Sequence, residues 1–245
     1  KWIYYFLKNN LSILEKYYNG AGIENISKEK ISNINIPVPS LETQTQVVQI
    51  LDDLAEQKQL LSGRKSGIER QMKYYLETQI KSCNDINVSK LGSLCEYIKS
   101  GKGIKKEDRN GTLYPYIGGG INAYTGTYVD KFIFDGSHIV CAQDGSIGAV
   151  NRILGKFYCN EHAHVLKIGD DDLSYYTQYY LKYIVNYEHI TTGMIPKLTK
   201  SNLVNIDILI TNNFKENREY LDKLETKKNS IDEEISDIDA LMKQV

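Results

Sequence analysis

The sequence predicts an α+β protein in which a mixed α/β domain is flanked by two long helices, and three observations predict it. From residue 41 to about 81, Val47, Leu51, Leu54, Lys58, Leu61, Lys65, Ile68, Met72 and Tyr75 recur in alternating steps of four and three. That is the stripe a helix needs to zip against another helix. A second stripe closes the chain, through Leu221, Leu224, Lys228, Ile231, Ile235, Ile238, Met242 and Val245, in phase with the first at an offset of 170. Between them, residues 82–213 form a domain-sized stretch of strand-like runs, glycine turns and one helical pattern.

In chain order, residues 1–40 read as the end of a domain. An aromatic helix over 2–18 leads to a turn at Asn19-Gly20-Ala21-Gly22, a polar link and the apolar run Ile34-Asn35-Ile36-Pro37-Val38-Pro39. The two prolines exclude a central strand there and suit an edge or extended segment. Ser40 is the expected N-cap of the first long helix, with Glu42 in its first turn, where the helix dipole favours a carboxylate. At 1.5 Å per residue that helix would be a rod of roughly 60 Å, far beyond an ordinary globular helix, so it reads as a spacer. Strand-like runs follow at 114–117, 139–142, 149–153 and 163–168, separated by Gly118-Gly119-Gly120, Asp144-Gly145-Ser146 and Gly155. A helix is expected from 173 to about 187, and Asn213 with Glu216 forms the pattern of a capping box opening the last helix.

The first passage returns near the end. Tyr5-Phe6-Leu7-Lys8 reappears as Tyr179-Tyr180-Leu181-Lys182, and at an offset of 172 Ile23, Lys28, Asn33, Ile34 and Ile36 are identical to Ile195, Lys200, Asn205, Ile206 and Ile208. Ser27/Thr199, Ile31/Leu203 and Val38/Ile210 are conservative pairs. The order aromatic helix, glycine turn, apolar strand and long heptad helix thus occurs twice, as in a duplication.

With 245 residues, 41% hydrophobic and 25% charged, the chain can bury a core. It holds no apolar run of membrane-spanning length, and its opening apolar run is too short for a signal sequence; a cytoplasmic setting is expected. The four cysteines lack CxxC spacing and are expected as thiols. A net charge of −1 selects no class of partner. Because the chain opens on Lys1 inside a repeat unit, a fragment is expected. There is no GxxxxGK, HExxH or GxSxG pattern, so no chemistry is expected of the chain itself.

The segment Ser137-His138-Ile139-Val140-Cys141-Ala142-Gln143-Asp144-Gly145-Ser146-Ile147-Gly148, the turn Gly193-Met194-Ile195-Pro196-Lys197-Leu198, and Ile36-Pro37-Val38-Pro39-Ser40-Leu41-Glu42-Thr43-Gln44 leading into a heptad helix resemble the specificity subunits of type I restriction-modification systems. The second copy departs from that pattern, since Ile208-Leu209-Ile210-Thr211-Asn212-Asn213 lacks both prolines and the glutamine. The resemblance implies two target-recognition domains alternating with two long helices that pair as an antiparallel coiled coil, each domain reading one half of a split site on double-stranded DNA. Residues 1–40 would be the tail of a first recognition domain, 41–81 a spacer helix, 82–213 a recognition domain and 214–245 the second spacer helix. It further implies methyltransferase subunits and restriction/translocase subunits as partners. S-adenosylmethionine, ATP and Mg²⁺ would sit on those partners, with no cofactor bound by this chain. If the chain is truncated, a homodimer would restore the pair of domains.

For DNA binding, Lys99, Lys102, Lys105, Lys106 and Arg109 cluster around a glycine-containing loop, and Tyr114, Tyr116, Asn122 and Tyr124 flank the Gly118 to Gly120 turn. Cations would meet phosphates, while Asn122, Gln143 and Arg152 have the side chains that pair with base edges. Ser146 and Lys197 join the set from the two motifs that carry the resemblance. His162 and His164, expected on one face of a strand, are read as DNA-facing or as merely polar surface. Against this stands a plain solvated loop, since Glu107 and Asp108 dilute the cluster and residues 88–213 sum to only about +1. Cys159, His162 and His164 lie close enough to suggest a metal site or a small metalloenzyme, yet no second ligand pair stands at motif spacing. A rival from another class is a coiled-coil scaffold whose globular domain binds protein. Gly63 and Gly67, each costing about 1 kcal/mol inside a helix, mark either close approach by a partner's helix or a tolerated bend.

Overall fold

The computed structural model describes residues 1–16, 26–191 and 196–245. In chain order its elements are α1 (Trp2–Asn9), α2 (Leu11–Glu15), α3 (Lys28–Ser32), α4 (Leu41–Ser82), β1 (Ile86–Lys90), α5 (Leu91–Leu94), β2 (Tyr97–Ser100), β3 (Tyr114–Ile117), β4 (Tyr124–Val129), β5 (His138–Ala142), β6 (Val150–Ile153), β7 (Tyr158–Cys159), β8 (Ala163–Lys167), α6 (Asp171–Tyr183), α7 (Lys200–Val204), β9 (Asp207–Thr211) and α8 (Phe214–Gln244). The class is α+β with two long helices. The chain divides into two compact units, residues 1–69 with 225–245, and residues 70–224.

In the first unit the apolar stripe of α4 closes on that of α8. Leu51, Leu61, Ile238 and Met242 are buried with Tyr5, and Val47, Leu54, Ile231 and Ile235 pack around them. Lys58 pairs with Asp239 at 2.6 Å, and seven residues on Lys65 pairs with Asp232, seven residues back, so the helices run in opposite senses. These ion pairs are a third to a half exposed, worth about 0–1 kcal/mol each, and act chiefly on register. The helix α4 starts as its sequence predicts: the Thr43 N–H donates to Ser40 Oγ at 3.2 Å, and the Gln44 side chain donates to the Pro39 carbonyl at 2.9 Å. Upstream, residues 34–39 pair with no strand among the described residues.

The second unit holds the other ends of the same helices, where Met72, Leu76, Leu221 and Leu224 are buried. The Tyr75 hydroxyl donates to Asn217 at 3.0 Å and the Gln71 amide donates to the Tyr220 hydroxyl at 2.7 Å, again an antiparallel pairing. Among the described residues three sheets accompany them: an antiparallel sheet β2-β8-β5-β6, a sheet β4-β3-β7 in which β3 and β7 run parallel, and the antiparallel pair β1-β9. Ile117, Phe134, Val140, Ile153, Phe157 and Val165 form a core drawn from the first two sheets. Helix α6 packs on β5 and β6. It begins at Asp171 rather than 173 because the Asp170 carboxylate caps the Leu173 N–H at 2.8 Å, and it ends at Tyr183 rather than 187.

The duplication read from the sequence is visible in three dimensions. Ser27 caps α3 by accepting from the Lys30 N–H, and Thr199 caps α7 by accepting from the Asn202 N–H. Both helices end on an asparagine of nearly the same conformation, Asn33 at φ −97°, ψ 7° and Asn205 at φ −92°, ψ 0°. The Tyr5 hydroxyl donates to Asp52, and its counterpart Tyr179 donates to Asp222. Trp2 Nε1–H donates to the Pro37 carbonyl, and the matching Tyr176 hydroxyl donates to the matching Leu209 carbonyl.

Several expectations change. The aromatic helix is broken at Asn10, whose backbone leaves the helical region (φ −124°, ψ 48°) while its side chain takes the Phe6 carbonyl at 2.8 Å. The Asn19 to Gly22 turn and the Gly193 to Ile195 part of the second motif lie outside the described residues. The Asn213 amide, expected as half of a capping box, is engaged by Gln79 at 2.9 Å and by Asn217 at 3.2 Å. Gly63 would meet nothing within 4 Å if it carried a Cβ, so no close approach within the chain explains it. No helix of the described residues is long and apolar enough to cross a membrane.

Candidate nucleic-acid interface

The strands of the second unit deliver five loops to one edge. Parallel strands β3 and β7 end side by side, and the Asn160 N–H donates to the Ile117 carbonyl at 2.9 Å, joining loop 160–162 to the Gly118 turn. The 101–103 segment is tied in by Gly101 N–H to the Ala163 carbonyl at 3.0 Å and Lys102 N–H to the Cys159 carbonyl at 2.8 Å. The β5–β6 loop joins through Gln143 N–H to the His162 carbonyl, and the Leu198 N–H donates to the Gln143 carbonyl, both at 2.8 Å. Asp144 and Lys197 then form a backbone bridge.

Two glycines make this convergence sterically feasible. A Cβ on Gly101 would stand 1.8 Å from the Asn160 carbonyl oxygen, and one on Gly119 would stand 2.2 Å from that of His162. Both are backbone contacts, so no side chain could move aside to make room. The glycine run 118–120 is therefore a tight turn whose close neighbour is another loop.

The edge exposes Lys102, Asn122, Tyr124, His162 and Lys197, with Gln143 and Ser146 half-buried beside them. The Asn122 side-chain oxygen accepts from the Tyr124 N–H at 3.1 Å, an Asx turn that fixes its orientation. His162 donates from Nδ1 to the Asp144 carboxylate at 3.0 Å, with Nε2 lying 3.9 Å from Glu161. Lys105, Lys106 and Arg109 are exposed on the adjoining loop. Arg109 Nη2 donates to the Ile104 carbonyl at 2.9 Å and its guanidinium lies 5.0 Å over the Tyr116 ring. Lys99 covers the Tyr97 ring at 4.4 Å.

Three residues expected at the interface are not on it. Tyr116 is 3% exposed and stacks on Tyr158 at 5.9 Å; burial pushes its hydroxyl pKa upward. His164 is 2% exposed, hydrogen-bonded to the Leu198 carbonyl at 2.8 Å and to Ser100 at 3.3 Å, and burial pulls its pKa down, favouring the neutral ring. The expectation that His162 and His164 share a face fails because β8 starts at Ala163, leaving His162 in the turn before it. Arg152 is held by α6: it meets Asp171 at 3.2 Å and Ser174 at 3.3 Å, and lies 3.6 Å from the Tyr175 ring centroid. Its cation therefore serves packing.

The Cys159 thiol is fully buried in the core, with a pKa raised to about 12 by desolvation. Among the described residues no three His, Cys, Asp or Glu side chains gather in a way that could hold a metal ion. Sequence reasoning passed over Asp144 as the partner of His162, and over Lys131 and Lys156, which cover the rings of Tyr158 at 5.7 Å and Phe132 at 4.7 Å. Isolated lysines between short strands carry no pattern that would have marked them.

The model of the type I restriction modification DNA specificity domain matches residues 1–70 and 84–238 of the chain. The chain belongs to this family. A type I restriction enzyme EcoprrI specificity subunit from Escherichia coli is 30% identical over 144 residues, covering 54% of this chain and 35% of that protein. The MjaVIII specificity subunit from Methanocaldococcus jannaschii is 32% identical over 78 residues, covering 29% of this chain and 18% of that protein. The matched stretches thus span about a third or less of these curated relatives. Among solved structures, the S subunit of a type I restriction-modification system from M. genitalium superposes with a TM-score of 0.61 at 19% identity, over 99% of this chain and 70% of that one. The HsdS subunit from Thermoanaerobacter tengcongensis gives 0.50 at 15% identity, over 99% and 68%. At these identities the likeness is one of fold, and the specificity-domain fold is that of this chain.

Proposed function

We propose that the chain is a sequence-specific, non-catalytic DNA-recognition subunit of a type I restriction-modification complex, with residues 82–213 as a recognition domain that reads one half of a bipartite site. The observation that carries the reading is the convergence of five loops, tied together by backbone hydrogen bonds, at one edge of the sheets, where they present an exposed and a half-buried amide, a histidine and lysines. Asn122 and Gln143 have the amide geometry that pairs with adenine, and His162 and Ser146 offer further base-edge contacts. Lys102, Lys105, Lys106, Arg109 and Lys197 anchor phosphates, and Tyr124 lines the same edge.

In this reading residues 1–40 are the tail of a matching first recognition domain. Ile31 is 47% exposed and Val38 77% exposed, although their counterparts are buried or half-buried against β1 and α5. The helices α4 and α8 serve as the spacer, and the partners are methyltransferase and restriction/translocase subunits in the cytoplasm. S-adenosylmethionine, ATP and Mg²⁺ belong to those subunits, and a homodimer would supply two recognition domains from two copies of the chain. Selection from randomised duplexes, with the chain assembled on its methyltransferase partner, tests the proposal. A recurrent motif supports it; indifference to DNA sequence in that assembly refutes it and favours a protein-binding scaffold.

A further inference from the structure

The sheet β4-β3-β7 carries a second cationic feature outside the five loops. Tyr114 and Tyr116 alternate onto one face of β3, and Tyr158 stands opposite Tyr116 on the parallel strand β7. With Val129 and Ile104 these rings form one cluster. Each ring pair is covered by a cation. Arg109 lies 5.0 Å over Tyr116 and Lys131 lies 5.7 Å over Tyr158, with the two tyrosines stacked. One strand repeat further from the loop edge, Tyr114 meets Phe132 edge-on at 5.0 Å, and Lys156 lies 4.7 Å over Phe132.

These cations differ from others in the same unit. Lys90 pairs with Asp207 at 2.7 Å, Arg152 with Asp171 and Arg218 with Asp172. Arg109, Lys131 and Lys156 have no carboxylate within ion-pairing distance among the described residues. Of the nearby acids, Asp130 accepts from the Thr112 N–H at 2.9 Å and Glu161 lies against Gly103, while Glu107 and Asp108 are exposed in the turn before Arg109. A cation resting on an aromatic face keeps its charge and remains free for an incoming anion, while the ring limits its side-chain freedom.

Resting on the DNA-recognition reading, we propose that Arg109, Lys131 and Lys156 form a phosphate-binding row on the outer face of this sheet, running from the loop edge and holding the duplex backbone beside the recognised bases. The chemistry asked of the ligand is a series of closely spaced phosphodiester anions, and a duplex offers one per roughly 3.4 Å along each strand. The row itself consists of cations on aromatic rings, groups that meet phosphates and do not read base edges, so it contributes affinity without sequence preference.

The test is duplex binding by the assembled complex, measured across salt concentrations, with wild type, K131Q/K156Q and K131R/K156R. Both lysines are exposed, and the amide variant removes charge while keeping most of the side chain. The expected result is that K131Q/K156Q lowers the slope of log K against log salt by roughly 1.8, at about 0.9 per phosphate contact, and weakens cognate and unrelated duplexes alike. K131R/K156R should restore wild-type behaviour. An unchanged slope in a wild type that does bind DNA overturns the row while leaving the functional reading standing. A loss confined to the cognate duplex also overturns it, since that would mark base readout. If K131Q/K156Q keeps its DNA binding but fails to assemble, the face is a protein-docking surface and the row is overturned. A wild type that binds no duplex overturns the functional reading and the row together.

Discussion

The two copies of the repeated passage share their internal contacts and differ in what covers them. Both start their short helix on a hydroxyl cap, at Ser27 and Thr199, and both tie an aromatic side chain to a carboxylate on the following long helix, Tyr5 to Asp52 and Tyr179 to Asp222. Ile34 and Ile206 are buried alike, at 9% and 7% exposure. The copies diverge outward from there. Leu203 is fully buried where Ile31 is exposed, and Ile208 is fully buried where Ile36 is half-buried. In the second copy β9 pairs with β1, and the Leu91 N–H closes on the Ile206 carbonyl at 2.8 Å. In the first, Pro37 and Pro39 stand where a ladder would need N–H donors. One local sequence pattern thus specifies one local scaffold, and neighbouring strands decide how much of it is buried.

The largest test of that difference is truncation of the paired apolar residues. Ile208→Ala removes a fully buried side chain and should cost about 2–5 kcal/mol, whereas Ile36→Ala should cost less than half as much. Denaturant unfolding of the two variants checks this; equal losses would show that the first copy is covered as well as the second. The caps come next. Ser27→Ala and Thr199→Ala should each cost about 1 kcal/mol, with the glycine variants nearly restoring stability, because the cap geometry is the same in both copies. Hydrogen exchange at the Lys30 and Asn202 amides reads each cap directly.

The smallest effect expected is with pH. All four histidines lie in the second unit, at 138, 162, 164 and 189. Burial lowers the pKa of His138 and His164 below the ordinary 6.5. Unfolded chains then bind protons first as the medium is acidified, so their contribution is complete above pH 6.5 and shrinks as pH falls below it. In the first unit, Lys1 and Tyr5 hold the Asp52 carboxyl below its ordinary 3.8, which leaves it indifferent until pH approaches that value. Between pH 6.5 and 5, protection factors, corrected for the pH dependence of intrinsic amide exchange, should therefore fall on β5 and β8 and stay constant on the first half of α4. A uniform change would contradict this assignment.

What the sequence revealed and what it hid follow the same physics. The long helices were legible because a seven-residue apolar repeat sustained over many turns lines up on one side only in a helix, and the Ser40 cap because its hydroxyl acts within three residues. The strands 114–117 and 139–142 stood out as apolar runs. Strands β1, β2 and β4 did not, because their burial comes from distant partners: β4 is mostly exposed along its length, and β1 has only Ile86 and Val88 to show a period of two. At the interface, loop membership was legible from glycine and charge, while the inward turn of Tyr116, Arg152 and His164 was not. Arg152 depends on Asp171 and Ser174, and His164 on the Leu198 carbonyl 34 residues away, contacts that no local spacing announces.

The central claim is that the five-loop edge of the second unit reads DNA bases. Its most direct measurement is duplex selection by the assembled complex, repeated with Asn122→Ala and Gln143→Ala together. The account predicts that wild type enriches a fixed half-site and that the double variant loses or alters bases within it; an enriched motif identical for the two proteins would contradict the claim.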